Sequence, residues 1–290
     1  MKLMIDSNGM AYRTVYNLDT LHSGGNKTGV IFGFLSQLLS IAEKFGTNQF
    51  IFIWDSRQSF RKMDYPGYKK RDHDPEKQEL IEQAHTQFDL LRKEILPAMG
   101  FKNVFMQSGY EADDLIAWVV ARQPDEYTIV TGDDDLLQLL WDDKYCPVQI
   151  YNLSKKKIIT ADYFTNKYGL RPIDWIEVKA IGGCTSDKVK GIPGVGPESA
   201  IKYLHKSLKD GSIKNKIESE EGKRLKEECR NLVALPYNGD RPIVVPEIIE
   251  DELWSLDFID MFKKWGCNSF VSPENFDRWR KAFNLQTGRK

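Results

Sequence analysis

The sequence predicts an α/β fold with a mostly parallel central sheet, followed by a helical region. Short apolar runs alternate with helical patterns through the first half of the chain, as repeated β-α units require. Acidic residues stand just after several of these apolar runs. Near residues 160–180 the strand pattern fades, and helical segments punctuated by glycine take over. We therefore predict a first domain over residues 1–170 and a second, helical domain over residues 171–290.

Four apolar runs are predicted strands, at residues 3–5, 49–54, 102–106 and 127–130. Helices are predicted at residues 30–45, at 75–99, and at Ala112–Arg122. Lysines and glutamates at helical spacing between residues 201 and 230 predict solvated helices, with breaks at Gly211 and Gly222. The Trp- and Phe-rich end, residues 246–283, predicts a helical cap.

Composition places the chain among globular proteins, with 41% hydrophobic and 29% charged residues. No run approaches the roughly 20 apolar residues of a membrane helix, and an acidic residue lies where a secretory signal would be apolar. We therefore expect a cytoplasmic protein. The four cysteines are far apart and form no C-x-x-C pair, which predicts neither a zinc site nor a disulfide framework.

A net charge of −1 by itself argues against a nucleic-acid-binding protein. Basic residues are nevertheless concentrated between positions 57 and 71, where the single acidic residue is Asp64. The basic residues of this run are Arg57, Arg61, Lys62, Lys69, Lys70 and Arg71. This local excess predicts a surface that contacts phosphate.

Carboxylates follow the predicted strands, and the ends of parallel strands converge on one crevice. Taken singly, an Asp after a strand caps a turn, and acids in the first turn of a helix suit its dipole. When several carboxylates converge, they repel one another, and bound divalent cations would compensate their charge. Oxygen ligands without His or Cys favour Mg²⁺ or Mn²⁺ over Zn²⁺. The carboxylates are Asp6, Asp55, Glu111, Asp113, Asp114, Asp133 and Asp135.

Two such ions can activate a water and stabilise the charge on a scissile phosphate. In the run from Asp133 to Asp135, an extended backbone would place the first and third side chains on one face. Asp133 and Asp135 are therefore the candidate ligands of this run, and Asp134 is expected to point away.

Three closely spaced glycines, Gly191, Gly194 and Gly196, join two helical stretches. Such spacing permits a bare backbone whose N–H groups bind phosphate at the start of the next helix. The alternative is a simple turn between helices with Pro197 at the helix start. The pattern favours a clamp on the duplex backbone, to which Lys202 would add a phosphate contact.

In this order, the motifs resemble the flap endonuclease family, including the 5′-nuclease domain of bacterial DNA polymerase I and the free-standing 5′–3′ exonucleases of bacteriophages. The resemblance spans about residues 3–205. It rests on Asp6, Trp54-Asp55, the run from Phe60-Arg61 to Lys69, Gly109-Tyr-Glu-Ala-Asp-Asp114, Thr131-Gly-Asp-Asp-Asp135 and Asp187 ahead of the glycines. It implies a PIN-like core, a helical arch over about residues 57–98, and a helix-three-turn-helix module that holds duplex DNA.

The resemblance also implies two metal sites and a set of phosphate contacts. The first site would comprise Asp6, Asp55, Glu111, Asp113 and Asp114, and the second Asp133, Asp135 and Asp187. The phosphate contacts would be Tyr68 and Lys69 at the scissile phosphate, Arg61 as a phosphate-binding arginine, and Lys70 and Arg71 along the DNA. K⁺ is expected at the backbone of the glycine hairpin.

Two positions depart from the family pattern. The usual Gly-Asp-x-x-Asp is replaced here by Gly183-Cys-Thr-Ser-Asp187, which puts a thiol where a carboxylate is usual. We therefore expect the second ion to be held more weakly. Arg71 stands one residue earlier than the usual spacing.

The sequence thus predicts a Mg²⁺-dependent 5′ nuclease that hydrolyses DNA at 5′ ends, nicks and flaps during replication or repair. One alternative is RNase H-like removal of RNA primers from RNA–DNA hybrids, which would use the same site. Another is a non-catalytic protein that binds branched DNA. We expect a monomer in the cytoplasm of a bacterial cell or an infected host cell, without membrane contact.

Overall fold

The computed structural model describes residues 1–15, 21–23, 25–70, 75–237 and 241–288. Its strands are β1 (Lys2–Asp6), β2 (His22–Ser23), β3 (Asn26–Lys27), β4 (Phe50–Ile53), β5 (Val104–Phe105), β6 (Tyr127–Thr131), β7 (Val148–Asn152) and β8 (Lys157–Ile159).

The α-helices are α1 (Ser7–Val15), α2 (Gly29–Phe45), α3 (Phe60–Asp64), α4 (Pro75–Leu90), α5 (Leu96–Ala98), α6 (Ala112–Arg122), α7 (Ala161–Tyr168), α8 (Trp175–Gly182), α9 (Pro197–Leu204), α10 (Ser212–Glu218), α11 (Glu220–Val233), α12 (Ser255–Lys264) and α13 (Pro273–Phe283). A π-helical turn, Leu91–Ile95, joins α4 to α5. Short 3₁₀ helices occupy Asp135–Leu139, Pro172–Asp174 and Asn268–Val271.

The chain forms two compact units, each built from separate chain segments. The first unit comprises Met1–Trp54, His73–Met106 and Pro246–Lys290. The second comprises Asp55–Asp72 and Gln107–Val245.

In the first unit, β1, β4 and β5 form a parallel sheet. Leu3 lies opposite Phe50 in the β1–β4 pair, and Phe52 lies opposite Val104 in the β4–β5 pair. Every residue of β4 is buried, as expected for a parallel strand that is covered on both faces.

The Trp- and Phe-rich end of the chain belongs to this unit and is helical, as α12 and α13. Phe283 stacks on Phe50 at a centroid distance of 5.5 Å, and Trp279 stacks on Phe283 at 5.2 Å. Phe258 packs against Phe101 and Phe283. All five of these rings are buried, and aromatic side chains bury large apolar areas.

In the second unit, β6 and β7 pair in parallel, with Tyr127 opposite Val148, and β8 pairs antiparallel with β7. The parallel strand pairs of both units confirm the predicted α/β class with a mostly parallel sheet. Helix α8 packs against α9 and α11 in this unit.

Several predicted elements have the expected bounds, whereas one predicted break does not exist. Helix α6 spans the predicted residues, and the helix predicted at 75–99 is continuous through its π-helical turn to Ala98. Gly222 lies inside α11, and the chain breaks at Ser219, whose Oγ accepts the N–H of Gly222 at 3.0 Å. A Cβ on Gly222 would lie 1.9 Å from the Lys216 carbonyl oxygen, so this glycine permits a close backbone contact.

Among the described residues, no helix combines the length and the apolar character that a membrane span requires.

Candidate metal centre and active site

The three aspartates after β6 turn directly into a 3₁₀ helix. Asp133 Oδ1 accepts the N–H of Asp135 at 2.8 Å, and Asp134 has helical dihedrals of φ −80° and ψ −10°. The predicted extended backbone is therefore wrong, because the side chain of Asp133 initiates a turn instead. The Asp134 carbonyl accepts the indole N–H of Trp175 at 2.9 Å.

Asp135 and Asp187 come together with a cysteine. One ligand atom from each of Asp135, Cys184 and Asp187 lies within 4.8 Å of the others, and all three residues are buried. Burial, together with the neighbouring Asp135, raises the pKa of Asp187 to about 6 against the opposing effect of Lys69. The positive charges near this cluster therefore do not fully balance its carboxylates.

Lys179 of α8 also reaches this cluster, although it was not among the predicted site residues. Its Nζ lies 2.5 Å from Asp135 Oδ1 and 3.6 Å from Cys184 Sγ. Lys179 stands between Val178 and Ala180, both buried, so a lysine within an apolar helix was the available signal.

A second group of carboxylates gathers around the N-terminus of α6. Glu111 is the N-cap residue, and it forms a capping box with Asp114. The N–H of Ala112 donates to Asp55 Oδ1 at 2.7 Å, which fixes the carboxylate of Asp55 at the helix start. Asp113 lies in the first turn of α6 and is half-buried.

Asp114 is committed to a buried ion pair with Arg61. The guanidinium donates to both carboxylate oxygens at 2.7 and 3.0 Å, and the N–H of Tyr237 also donates to Asp114 at 2.7 Å. Arg61 is only 2% exposed and lies over the Tyr237 ring. This pair ties α3 to α6, so the geometry favours a positioning role for both residues.

Tyr68 and Lys69 extend towards the carboxylates of Glu111 and Asp187. Tyr68 donates to Glu111 Oε2 at 3.1 Å, and Lys69 Nζ donates to the same oxygen at 2.8 Å. Lys69 Nζ also lies 4.0 Å from Asp187 Oδ1, and its backbone N–H donates to the Asp187 carbonyl at 2.9 Å. Lys69 is therefore held between the Glu111 group and the Asp187 cluster.

The electrostatics keep Lys69 charged. Burial opposes the charged form, but Glu111 and other nearby acids outweigh it and hold the pKa of Lys69 well above its ordinary value. Burial likewise opposes ionisation of Glu111, yet Lys69 and Arg61 lower its pKa. The backbone of Lys69 has φ 48°, a left-handed conformation that costs energy for a non-glycine residue.

Asp6 belongs to the first unit, where it is the last residue of β1. Its Oδ1 accepts the N–H of Gly9 at 2.9 Å. A Cβ on Gly9 would lie 2.3 Å from Asp6 Oδ2, so only glycine leaves room for the carboxylate here.

The predicted glycine hairpin connects α8 to α9. Gly191 and Gly194 have φ of 62° and 79°, and Gly196 is the N-cap residue of α9. A Cβ on Gly191 would lie 2.4 Å from the Gly183 nitrogen, whereas one on Gly194 would meet only Lys216 Nζ at 3.2 Å. The backbone is thus packed tightly at Gly191 and is open at Gly194 and Gly196.

Two of the predicted basic contacts are exposed, and one cannot be placed. Lys202 lies on α9 and Lys70 follows Lys69, and both side chains are exposed. Arg71 lies outside the described residues.

The donor set fits a hard divalent cation. The carboxylates of Asp55, Glu111 and Asp113 offer oxygen at the α6 terminus, and the raised pKa of Asp187 marks negative charge that a bound cation would compensate. A mostly parallel α/β core that carries such groups of carboxylates is suited to divalent-metal chemistry.

Comparison with known proteins identifies the family. The model of the 5′-3′ exonuclease, N-terminal resolvase-like domain, matches residues 1–169, and the chain belongs to this family. This match confirms the family resemblance.

Individual relatives agree with that assignment. DNA polymerase I of Mycobacterium leprae is 32% identical over 233 residues, which are 78% of this chain and 24% of that protein. The chain therefore spans about a quarter of the length of this relative. The 5′-3′ exonuclease of Buchnera aphidicola is 29% identical over 222 residues, which are 74% of each chain.

Solved structures show the same fold. The T5 5′-exonuclease with divalent zinc ions bound superposes with a TM-score of 0.65 at 21% identity, over 81% of this chain and 89% of that one. The PIN-like α/β fold expected from the sequence is confirmed.

Proposed function

We propose that this chain is a divalent-metal-dependent 5′ nuclease that hydrolyses DNA phosphodiesters at 5′ ends and flaps. The observation that carries the proposal is the placement of Lys69, whose ammonium lies 2.8 Å from Glu111 and 4.0 Å from Asp187. A lysine held in this way can exchange a carboxylate oxygen for a phosphate oxygen that enters the same site. It would then stabilise the charge that develops on the phosphate during hydrolysis.

The two carboxylate groups are the proposed metal ligands. The first ion would be held by Asp55, Glu111 and Asp113, and the second by Asp133, Asp135 and Asp187. Asp6 remains a predicted ligand of the first ion, because it matches the position of a metal ligand in the family pattern. When bound, divalent ions lower the pKa of a water and neutralise charge on a phosphate.

Asp114 is left out of the proposed ligands, because Arg61 and backbone N–H groups already use its oxygens. Arg61 is likewise assigned to position α6 and not to bind phosphate. The oxygen-only donors of the first group support Mg²⁺ or Mn²⁺ as the ion.

The glycine hairpin is the proposed contact with duplex DNA. Open backbone at Gly194 and Gly196, just before α9, suits N–H donation to a phosphate, and the exposed Lys202 would add charge. K⁺ at this backbone remains a prediction. A solved structure of the T5 D15 flap endonuclease contains DNA and metal ions.

The proposal extends to oligomeric state and location. We propose a cytoplasmic location, because DNA is the proposed substrate, and the monomeric state stays a prediction. RNA–DNA hybrid remains an alternative substrate that the same site would accept.

Cleavage assays test the proposal. The purified chain is incubated with 5′-flap DNA, nicked duplex and RNA–DNA hybrid, with Mg²⁺ and with chelator. We expect Mg²⁺-dependent release of the 5′ strand, and loss of that release in Glu111→Gln. The matched control is Glu221→Gln, which alters an exposed carboxylate of α11. Cleavage in chelator, or normal cleavage by Glu111→Gln, would contradict the proposed mechanism.

A further inference from the structure

The cluster around Cys184 differs chemically from an ordinary Mg²⁺ site. Asp135 contributes from the start of a 3₁₀ helix, whereas Cys184 and Asp187 come from the loop that follows α8. Their ligand atoms lie within 4.8 Å of one another, and each residue is more than nine-tenths buried. Two hard oxygen donors and one soft sulfur donor thus face one small volume.

The backbone fixes Cys184 in this position. Its N–H donates to the Val189 carbonyl at 2.8 Å, and its carbonyl accepts the N–H of Val189 at 3.0 Å. Its Sγ lies 3.0 Å from Ser186 Oγ. Because both ends of the loop are paired, the thiol is preorganised beside the two carboxylates and needs no rearrangement to reach them.

A cation already occupies the edge of the cluster. The ammonium of Lys179 lies 2.5 Å from Asp135 Oδ1 and 3.6 Å from Cys184 Sγ. Among the described residues, Asp135 Oδ1 is buried and has this ion pair but no hydrogen-bond donor of good geometry. The lysine marks a place where positive charge is stabilised, and an ion bound there would replace the contact of Lys179 with Asp135 Oδ1.

We propose that Asp135, Cys184 and Asp187 form a site for a thiophilic divalent cation of the Zn²⁺ class, with Cys184 as a direct sulfur ligand. The proposal deepens the proposed function, because it takes Asp135 and Asp187 as ligands of the second ion. A thiolate is a strong ligand for Zn²⁺, Co²⁺ and Cd²⁺ and a poor one for Mg²⁺. The second site should therefore select a different ion from the first.

Absorption spectroscopy with Co²⁺ tests the sulfur ligand directly. Metal-free full-length protein is titrated with Co²⁺ in the absence of DNA, and near-ultraviolet thiolate-to-Co²⁺ charge transfer is recorded. We expect a band that saturates as one Co²⁺ binds, persists in excess Mg²⁺, and disappears when Zn²⁺ is added. Absence of the band when dialysis shows that Co²⁺ is bound would overturn the proposal.

Cysteine-to-serine variants identify which cysteine supplies the sulfur ligand. Cys184→Ser should abolish the band and weaken Co²⁺ binding by about tenfold or more, since loss of an outer-shell partner alone costs about 10- to 100-fold. Cys229→Ser is the matched control and should retain the band, because Cys229 is a buried cysteine of α11 that packs in the same apolar cluster as Cys184 but is not one of the three gathered ligand residues. A band that survives in Cys184→Ser would assign the sulfur elsewhere and overturn the proposal.

Two further measurements keep the test independent of the folding of Cys184→Ser. A variant with Cys146, Cys229 and Cys267 all replaced by serine retains only Cys184 and should keep the band. Cadmium NMR of the unaltered protein should give the downfield shift of a sulfur-bound ion, and an upfield shift typical of oxygen ligands would overturn the proposal. Neither measurement depends on DNA cleavage, so a band without nuclease activity would refute the proposed function and leave this site intact.

Discussion

Replacing Lys69 by methionine separates a role in catalysis from a role in holding the fold. Methionine has a similar length but no charge, so the variant removes the ammonium that Glu111 and Asp187 share. If that ammonium stabilises the phosphate during hydrolysis, its loss should slow cleavage by about 10²- to 10³-fold, as for other single transition-state donors. The measurement is the single-turnover rate on 5′-flap DNA at saturating Mg²⁺.

Metal affinity should change in the opposite direction. At the 4.0 Å separation of Lys69 and Asp187, two unit charges interact by about 1 kcal/mol in water and about 4 kcal/mol at an effective dielectric of 20. The Lys69 side chain is 23% exposed, which favours the lower part of that range. Removing this attraction frees the Asp187 carboxylate for a divalent ion and should tighten binding of that ion by about 1–2 kcal/mol, or about 5- to 30-fold.

The metal-dependent rise in unfolding temperature, measured without DNA, reports this affinity. The control is Lys144→Met, which removes an exposed ammonium of the same unit and should leave both quantities unchanged. A Lys69→Met variant that cleaves at the normal rate, or one that binds Mg²⁺ more weakly, would refute the assigned role.

Four further substitutions test separate parts of the molecule. Asp113→Asn should abolish cleavage and leave DNA affinity within a few-fold, because the carboxylate binds metal but also repels phosphate; normal cleavage at saturating Mg²⁺ would remove Asp113 from the site. Gly194→Val should weaken duplex binding by about tenfold in a gel-shift titration, because a β-branched residue is strained at φ 79° and covers open backbone; unchanged affinity would exclude the clamp. Cys184→Asp should lower the Mg²⁺ concentration needed for half-maximal cleavage, and an unchanged requirement with normal circular dichroism would indicate a packing role only. Burial raises the pKa of Asp251 to about 6 from the ordinary 3.8, so its ionisation destabilises the fold progressively as pH rises through this range. Asp251→Asn should therefore be more stable by about 1–3 kcal/mol at pH 7 and equal at pH 4 in urea unfolding, and a constant difference between these pH values would contradict this origin.

The sequence predicted most of the regular elements, because their patterns are local. Helix α6 has its expected bounds because its capping acids, its apolar face and its length all indicate the same helix. The four predicted strands correspond to β1, β4, β5 and β6, because buried parallel strands are continuous apolar runs, whereas the short β2, β3 and β8 were not predicted. Gly222 was misjudged because its requirement for a glycine comes from the Lys216 carbonyl, a contact that composition does not reveal.

The site was predicted in its residue types and less well in its geometry. Carboxylates after strands indicated metal binding, but the turn at Asp133 depends on a side-chain hydrogen bond to Asp135 that competes with extended backbone. Arg61 is covered by the ring of Tyr237, which lies 176 residues further along the chain. No local sequence pattern could therefore predict that Arg61 is buried. Lys179 was missed because a single lysine in an apolar helix resembles a surface residue until its partners are known.

The glycine hairpin has a consequence for mutational scanning of this protein. Any side chain at Gly191 would collide with the Gly183 backbone, so every substitution there should reduce the yield of folded protein. Gly196 has an extended backbone, and a Cβ there would meet no described atom within 4 Å, so serine or alanine should be tolerated in expression. Loss of activity would then mean misfolding when Gly191 is replaced and impaired DNA contact when Gly196 is replaced. Abundance and activity therefore have to be scored separately, because an activity screen alone would merge these two glycines into one class.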